Sequence, residues 1–314
     1  MEKIKQISEF SKMFKINIPV ESYFDYYIKV LSESFEYKNI YNLVERFSEF
    51  EMWVEANGYQ NVAHYKMEYA FKELINYISS TNAYKGVLDF DYSKIGFFKK
   101  DNWKLYQNNF FLSVDIASAN FQSLKLFDKE NQMKSSWAEL LNHLSVYPLV
   151  AESKSFRQLV FGNLNPKRIQ KIQHYQILKI FETLEDLIST DEIVVVSEDE
   201  IVFCIGNNES DALEKRKNLL LEIEKIREVH LSKKEGWMET KNTTFKYEKT
   251  SKDLYTKTIF LGNTIDITNS HKTLYGCPGN VFYLNFKKYI LDKPVEEKDC
   301  FFQVDNKLAK WVNW

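Results

Sequence analysis

The sequence predicts an α+β protein in which a mainly helical N-terminal region precedes a sheet covered by helices on one face. Two observations lead to this prediction. Val20 to Phe35 and Val62 to Ile78 carry apolar and aromatic residues at three- and four-residue spacing, which is typical of amphipathic helices. From Phe110 onward, short β-branched or aromatic runs are interspersed with helical segments, and this order favours one layer of strands against one layer of helices.

The composition allows one substantial core, or one core and a smaller lobe. The chain has 314 residues with 16% aromatic content, and only 9 Gly and 5 Pro, which argues against a low-complexity or disordered protein. The formal net charge of −2 excludes a uniformly basic nucleic-acid-binding chain, although 42 Lys and Arg leave room for a local basic face.

The cysteines and the N-terminus bear on the compartment. Cys204, Cys277 and Cys300 are widely spaced and include no CxxC pair, which fits a reducing compartment. The first residues lack the apolar core of a signal peptide, and no apolar run approaches the ~20 residues that span a bilayer. We therefore expect a cytoplasmic protein without a membrane partner.

The predicted sheet begins with Phe110 to Asp115, a buried strand that ends in an acid. A helix follows over Ala117 to Phe127, then a basic helical turn over Lys154 to Phe161. Gly162 to Pro166 breaks this turn. A long amphipathic helix over Lys167 to Ile188 leads to the next strands.

The most informative stretch is an acidic hairpin. Two β-branched runs, Ile193 to Val196 and Ile201 to Phe203, flank the polar tip Ser197-Glu198-Asp199-Glu200. Three adjacent carboxylates repel one another, and a hard divalent cation with oxygen ligands would offset that cost. The hairpin therefore suggests phosphoryl-transfer chemistry that depends on Mg²⁺.

Four more elements follow the hairpin. Ser210 to Arg227 is predicted to be a helix with Ser210 as its N-cap. Val229 to Ser232 is predicted to be a strand, followed by a polar insertion rich in Lys and Thr. Lys257 to Gly262 is predicted to be the last strand of the sheet.

Three segments in this order resemble the first three motifs of palm-domain polymerases, of the reverse transcriptase type or its DNA-polymerase relatives. They are Val114 to Phe121, Lys154 to Gly162 and Ser197 to Phe203. The resemblance covers roughly residues 95 to 265 and implies a palm-like antiparallel sheet. The implied regions are a fingers-like part over 1–98, a palm-like domain over 99–268 and a thumb-like extension over 269–314.

The resemblance implies template-directed nucleotidyl transfer to a nucleic acid primer by a two-metal mechanism. The implied partners are template, primer and nucleoside triphosphates, and the implied cofactor is Mg²⁺ or Mn²⁺. Asp115, Asp199 and Glu200 are the implied catalytic residues, and these three with Glu198 are the implied metal ligands. Lys154 and Arg157 would contact the nucleotide, and Lys167, Arg168 and Lys171 the nucleic acid backbone.

The hairpin departs from the family pattern, because the reverse transcriptase motif is aromatic-x-Asp-Asp, whereas here Ser197 precedes and Glu200 follows Asp199. Two other functions stay open: a catalytically inactive palm-derived protein for nucleic acid binding or assembly, and a Mg²⁺-dependent nuclease. The structural alternatives are that Asp115 is a helix-start residue, that the hairpin tip is merely solvated, and that the five cations lie on the exposed faces of helices.

Overall fold

The computed structural model describes residues 2–34, 42–58, 67–93, 95–96, 99–305 and 307–312. Phe35 and residues 62–66, which belong to the two predicted N-terminal helices, lie outside these ranges. None of the described helices combines the length and the apolar character that a bilayer crossing requires.

The N-terminal region is helical, as predicted. Phe10 is fully buried, and its ring contacts Phe14, Phe24, Phe47 and Phe50, so aromatic packing joins the first three helices. The α-helices that the structure describes in this region are α1 Glu2–Phe14, α2 Phe24–Leu31, α3 Leu43–Asn57, α4 Met67–Ser80 and α5 Asn82–Asp89.

The centre of the molecule is a seven-stranded sheet with the order β1-β3-β4-β2-β5-β6-β7, and every neighbouring pair is antiparallel. Chain order within it is strand, helices, hairpin, helix, strand, which is a split βαβ arrangement. The strands are β1 Lys100–Asp101, β2 Phe110–Ile116, β3 Ile193–Val196, β4 Glu200–Gly206, β5 Thr240–Ser251, β6 Leu254–Phe260 and β7 Ser270–Tyr275.

The two faces of the sheet differ. Leu112, Val114 and Ile116 point into the main core, which the helices share. Phe111, which alternates with them on β2, belongs to a second apolar cluster on the opposite face. We call this opposite side the open face.

The connecting helices are α6 Ala119–Lys125, α7 Trp137–His143, α8 Pro148–Glu152, α9 Lys154–Gly162, α10 Pro166–Leu184 and α11 Glu209–Ser232. The predicted fold class, an α+β antiparallel sheet with helices on one face, is confirmed.

Three local predictions are wrong. The N-cap of α11 is not Ser210 but Asn208, whose side chain accepts from the N–H groups of Ser210 and Asp211. Val229 to Ser232 is not a strand but the last part of α11, where Val229 and Leu231 are exposed rather than buried. The polar insertion in fact contains β5, whose residues 240–246 pair with the whole of β2. The many Lys and Thr residues of β5 obscure the alternation that is typical of a strand. Phe245 and Tyr247, two residues apart, belong to the apolar cluster on the open face.

The C-terminal segment packs against the N-terminal helices. It contains α12 Phe282–Tyr289 and a hairpin of β8 Phe301–Val304 and β9 Lys307–Lys310. Tyr27 Oη donates to the carbonyl of Lys298 at 2.7 Å, and Gln303 Nε2 donates to the carbonyl of Pro19 at 3.0 Å. The sheet itself continues through β7 to Tyr275, past residue 268, where the sequence places the end of the palm-like domain.

Candidate active site

Three of the predicted acids lie at one end of the sheet. Asp115 is directly opposite Glu200 on β4 and Lys241 on β5. Its neighbour Ile116 donates its backbone N–H to the carbonyl of Asp199 at 2.8 Å. Directly opposed residues in a sheet have Cβ atoms about 5 Å apart on the same face. The carboxylates of Asp115 and Glu200 therefore share the open face, with Asp199 in the adjoining turn.

Ser197 holds the hairpin turn that carries Asp199. Its backbone N–H donates to the carbonyl of Glu200 at 2.9 Å, and its Oγ accepts from the Glu200 N–H at 3.0 Å. The same hydroxyl donates to Asp199 Oδ1 at 3.3 Å. A serine in this position mimics a backbone turn and tightens the loop. On the helix side, the buried His174 Nδ1 lies 3.2 Å from the Ser197 carbonyl.

Asp115 is the electrostatic centre of this end of the sheet. Burial, reinforced by Asp199 and then Glu200, raises the pKa of its carboxyl to about 7, and Lys241 opposes the rise only in part. A carboxyl in this environment is only partly ionised near neutral pH. A cation placed beside it would favour the ionised form, so the raised pKa marks a position where positive charge is lacking.

The other two acids of the tip are engaged elsewhere. Ser113 Oγ donates to Glu200 Oε1 at 2.6 Å, which turns this carboxylate along the sheet. Glu198 forms an ion pair with Lys99 at 2.6 Å, and the hydrogen bond from Lys99 lowers its pKa. Glu198, which was predicted to be a metal ligand, is thus already paired with a lysine.

The two predicted nucleotide contacts, Lys154 and Arg157, lie on the first turns of α9. Ser153 caps this helix by accepting from the N–H of Phe156. The helix packs against α1, α4 and α8. The charged groups that shift the pKa of Asp115 are Asp199, Glu200 and Lys241. The basic side chain that lies beside Asp115 is therefore Lys241, and neither Lys154 nor Arg157 is among the charged groups that shift its pKa.

The predicted nucleic acid contacts lie along α10, and two of them hold a loop. Arg168 donates to the carbonyl of Phe90 at 3.0 Å, with its guanidinium 4.7 Å from the ring centroid of Tyr92. Lys171 donates to the carbonyl of Ile95 at 3.3 Å. Lys167 is exposed. The loop after α5 is thus fastened to α10 by two of the three cations.

The sequence analysis did not identify Ser113, which donates to Glu200, or Lys241, which lies opposite Asp115. Ser113 stands two residues before Asp115, and the two-residue period of a strand would have put it on the same face. Lys241 falls in the segment interpreted as an insertion, so nothing in the pattern placed it opposite Asp115.

Asp115 and Asp199 supply the oxygen ligands that Mg²⁺ prefers, and Mg²⁺ is usually held by one or two carboxylates together with substrate phosphates. The donor set and the raised pKa of Asp115 fit such an ion. Within the part of the chain that the structure describes, no group of three or more His, Cys, Asp or Glu side chains is arranged to hold a metal. A rotation of Glu200 away from Ser113 would bring a third carboxylate to this group.

Comparison with known proteins gives no family: no family model, no curated protein and no solved structure matches this chain.

Proposed function

We propose that this chain transfers nucleotidyl groups to a nucleic acid primer, with divalent cations held by Asp115 and Asp199. The observation that carries the proposal is the Asp115 carboxyl, raised in pKa to about 7 beside two further carboxylates at one end of a sheet. Such a group is costly unless a cation or a proton neutralises it.

The strand order supports the same proposal. The acidic hairpin β3–β4 lies directly beside β2, and β5 lies on the other side of β2. This brings the acid that ends the first strand next to the acids of the hairpin, which is the layout that a resemblance to palm-domain polymerases requires. The connecting α-helices among the described residues pack on the other face, so the carboxylates face a surface that a nucleic acid can reach.

In this proposal each residue has a separate task. Asp115 and Asp199 bind the cations, and Ser197 fixes the turn that presents Asp199. Glu200 assists by accepting from Ser113 in one rotamer and turning toward the acids in another. Mg²⁺ or Mn²⁺ would supply Lewis acidity for the primer 3′-hydroxyl and for the leaving pyrophosphate.

In this proposal, basic side chains bind the phosphates of the nucleotide and of the nucleic acid. Lys241 lies beside the acids, where it would meet a phosphate oxygen of the incoming nucleotide. Lys167 remains available for the backbone of the template or primer. Arg168 and Lys171 position the loop after α5, which would form one wall of the approach.

Primer extension tests the proposal. Labelled primers on DNA and RNA templates are incubated with Mg²⁺ or Mn²⁺ and with each set of nucleoside triphosphates. Asp199→Asn is expected to lower the extension rate by at least ~100-fold, because a neutral amide cannot replace a charged ligand without misplacing the reacting groups. Asp186→Asn, an exposed aspartate after α10, is the matched control and is expected to retain the rate.

Two other outcomes would contradict the proposal. Shortening of the labelled strand that is lost in Asp199→Asn would assign the same acids to a nuclease. Neither extension nor shortening, with strand binding intact and the fold unchanged by circular dichroism, would assign the chain to nucleic acid binding or assembly.

A further inference from the structure

A cavity of about 510 Å³ lies on the open face, on the side of the sheet opposite the connecting α-helices. Its aromatic lining includes Trp103, Phe245, Tyr247 and Tyr275. Trp103 comes from a 3₁₀ helix before β2, and its ring lies 4.1 Å from that of Tyr247 and 5.2 Å from that of Tyr275. A volume within the ~300–1,000 Å³ range, with aromatic and aliphatic walls and a few polar groups, is typical of small-molecule sites.

Lys257 reaches this cavity from β6. Its ammonium lies 3.8 Å from the ring centroid of Phe245 and 5.7 Å from that of Tyr247. No hydrogen bond or ion pair joins this ammonium to any residue within the described ranges, and the charged group that favours its protonated form is Glu200. Burial lowers the pKa of Lys257. A half-buried ammonium that lies against ring faces has unused donor capacity, which a ligand acceptor can satisfy.

The other polar groups of the lining limit the ligand. Lys99 pairs with Glu198, and Lys100 donates to the carbonyl of Thr190 at 2.7 Å, so both are already engaged. Asp101 and Glu200 add two carboxylates to the lining. An aromatic anion would be attracted by Lys257 but repelled by both acids. A neutral planar ring that carries acceptors and N–H donors in its own plane suits all three groups.

We propose that this cavity binds the base of a nucleoside, with Lys257 donating to a ring acceptor and Glu200 or Asp101 accepting from a ring amino group. Nucleobases combine a flat π face with donors and acceptors at the edge, and stacking on aromatic side chains is a general way of holding them. The inference needs the cavity and Lys257, not a metal or a transfer reaction. Because Glu200 also borders the acid cluster, occupancy of the cavity and of that cluster are expected to influence each other.

Equilibrium binding of 2-aminopurine riboside, followed by quenching of its fluorescence, tests this inference in the presence of EDTA. Saturable quenching is expected for the native chain. Lys257→Met, which keeps the side-chain volume, is expected to weaken binding by at least about 10-fold, since it removes a charged donor. Tyr275→Ala is expected to weaken it by at least about 5-fold through lost stacking.

Lys272→Met is the matched control, because Lys272 lies on the neighbouring strand one residue out of step with Lys257 and so projects from the other face. Its affinity is expected to equal that of the native chain. Three results would overturn the inference: no saturable quenching, equal losses in the Lys257 and Lys272 variants, or displacement of the probe by benzoate at lower concentration than by any of adenosine, guanosine, cytidine and uridine. Primer extension plays no part in these measurements, so they can fail or succeed independently of the proposed transfer reaction.

Discussion

Replacing Asp115 with Asn is expected to stabilise the protein above pH 7 while removing its response to divalent cations. The folded pKa of Asp115 is about 7, raised from an ordinary value near 3.8. The native chain therefore loses stability as the pH rises from about 4 to about 7, where the unfolded carboxyl is ionised and the folded one is not. Asn carries no charge and avoids this loss.

The expected gain is on the order of 2 kcal/mol at pH 8, after allowance for the screening of a side chain that water partly reaches. It should shrink to nothing below pH 4. Urea unfolding at a series of pH values measures it, with Asp186→Asn as the control. A constant difference across this pH range would mean that the substitution acts through packing rather than through charge.

Divalent cations provide the second arm of the same experiment. A ligand that binds only the folded state raises its stability in proportion to the logarithm of its concentration. Mg²⁺ or Mn²⁺ is thus expected to raise the midpoint of thermal unfolding of the native chain and to leave that of Asp115→Asn unchanged. An equal shift in both proteins would place the cation elsewhere.

Replacing Lys287 with Met is expected to destabilise the fold by about 3–5 kcal/mol, because it leaves a buried carboxylate without its partner. Lys287 is 4% exposed and Asp299 1% exposed, and their charged atoms lie 3.1 Å apart. Lys287 also bonds to Glu296 at 2.7 Å and donates to Tyr26 Oη at 2.9 Å. The Tyr26 hydroxyl in turn donates to Asp299 at 2.7 Å. One side chain therefore joins α12, the following 3₁₀ turn and α2.

Lys288→Met is the control, since the adjacent Lys288 is exposed and lies outside this network. It is expected to change the free energy of unfolding by less than about 0.5 kcal/mol. The partners of Lys287 raise its pKa, so this stabilisation is complete at neutral pH and is lost only as the pH rises above about 10. Equal effects of the two substitutions in chemical denaturation would show that the network contributes nothing net.

The acid cluster could be predicted because its signals are local. A buried aromatic and β-branched run ends in Asp115, and a second pair of runs encloses Asp199, so period and composition identify both strands. Lys241 and Lys257 could not be found in this way. Lys241 lies in β5, a strand masked by polar residues, and it comes opposite Asp115 only through pairing with the distant β2. Lys257 starts a predicted strand, but the face of the sheet that it occupies depends on how β6 pairs with β5 and β7.

The basic helices show the opposite limit. The spacing between a basic residue and an acid in the sequence does not show where the basic side chain points in the structure. Arg168, for example, donates to the carbonyl of Phe90. A carbonyl of an irregular loop is invisible in a helical pattern. Assigning cations to a ligand from spacing alone therefore overestimates how many are available.

The position of β2 at the centre of the sheet has a consequence for folding. Ser113 and Glu200, which meet across β2 and β4, are separated by 87 residues, and the other neighbour of β2, β5, lies still further along the chain. Sheets built from such non-local pairings close slowly, because the entropy of a long loop is lost before the pairing is gained. During synthesis the acids of this site would thus remain apart until β4 has emerged from the ribosome, and Lys241 would join them only after β5 has followed.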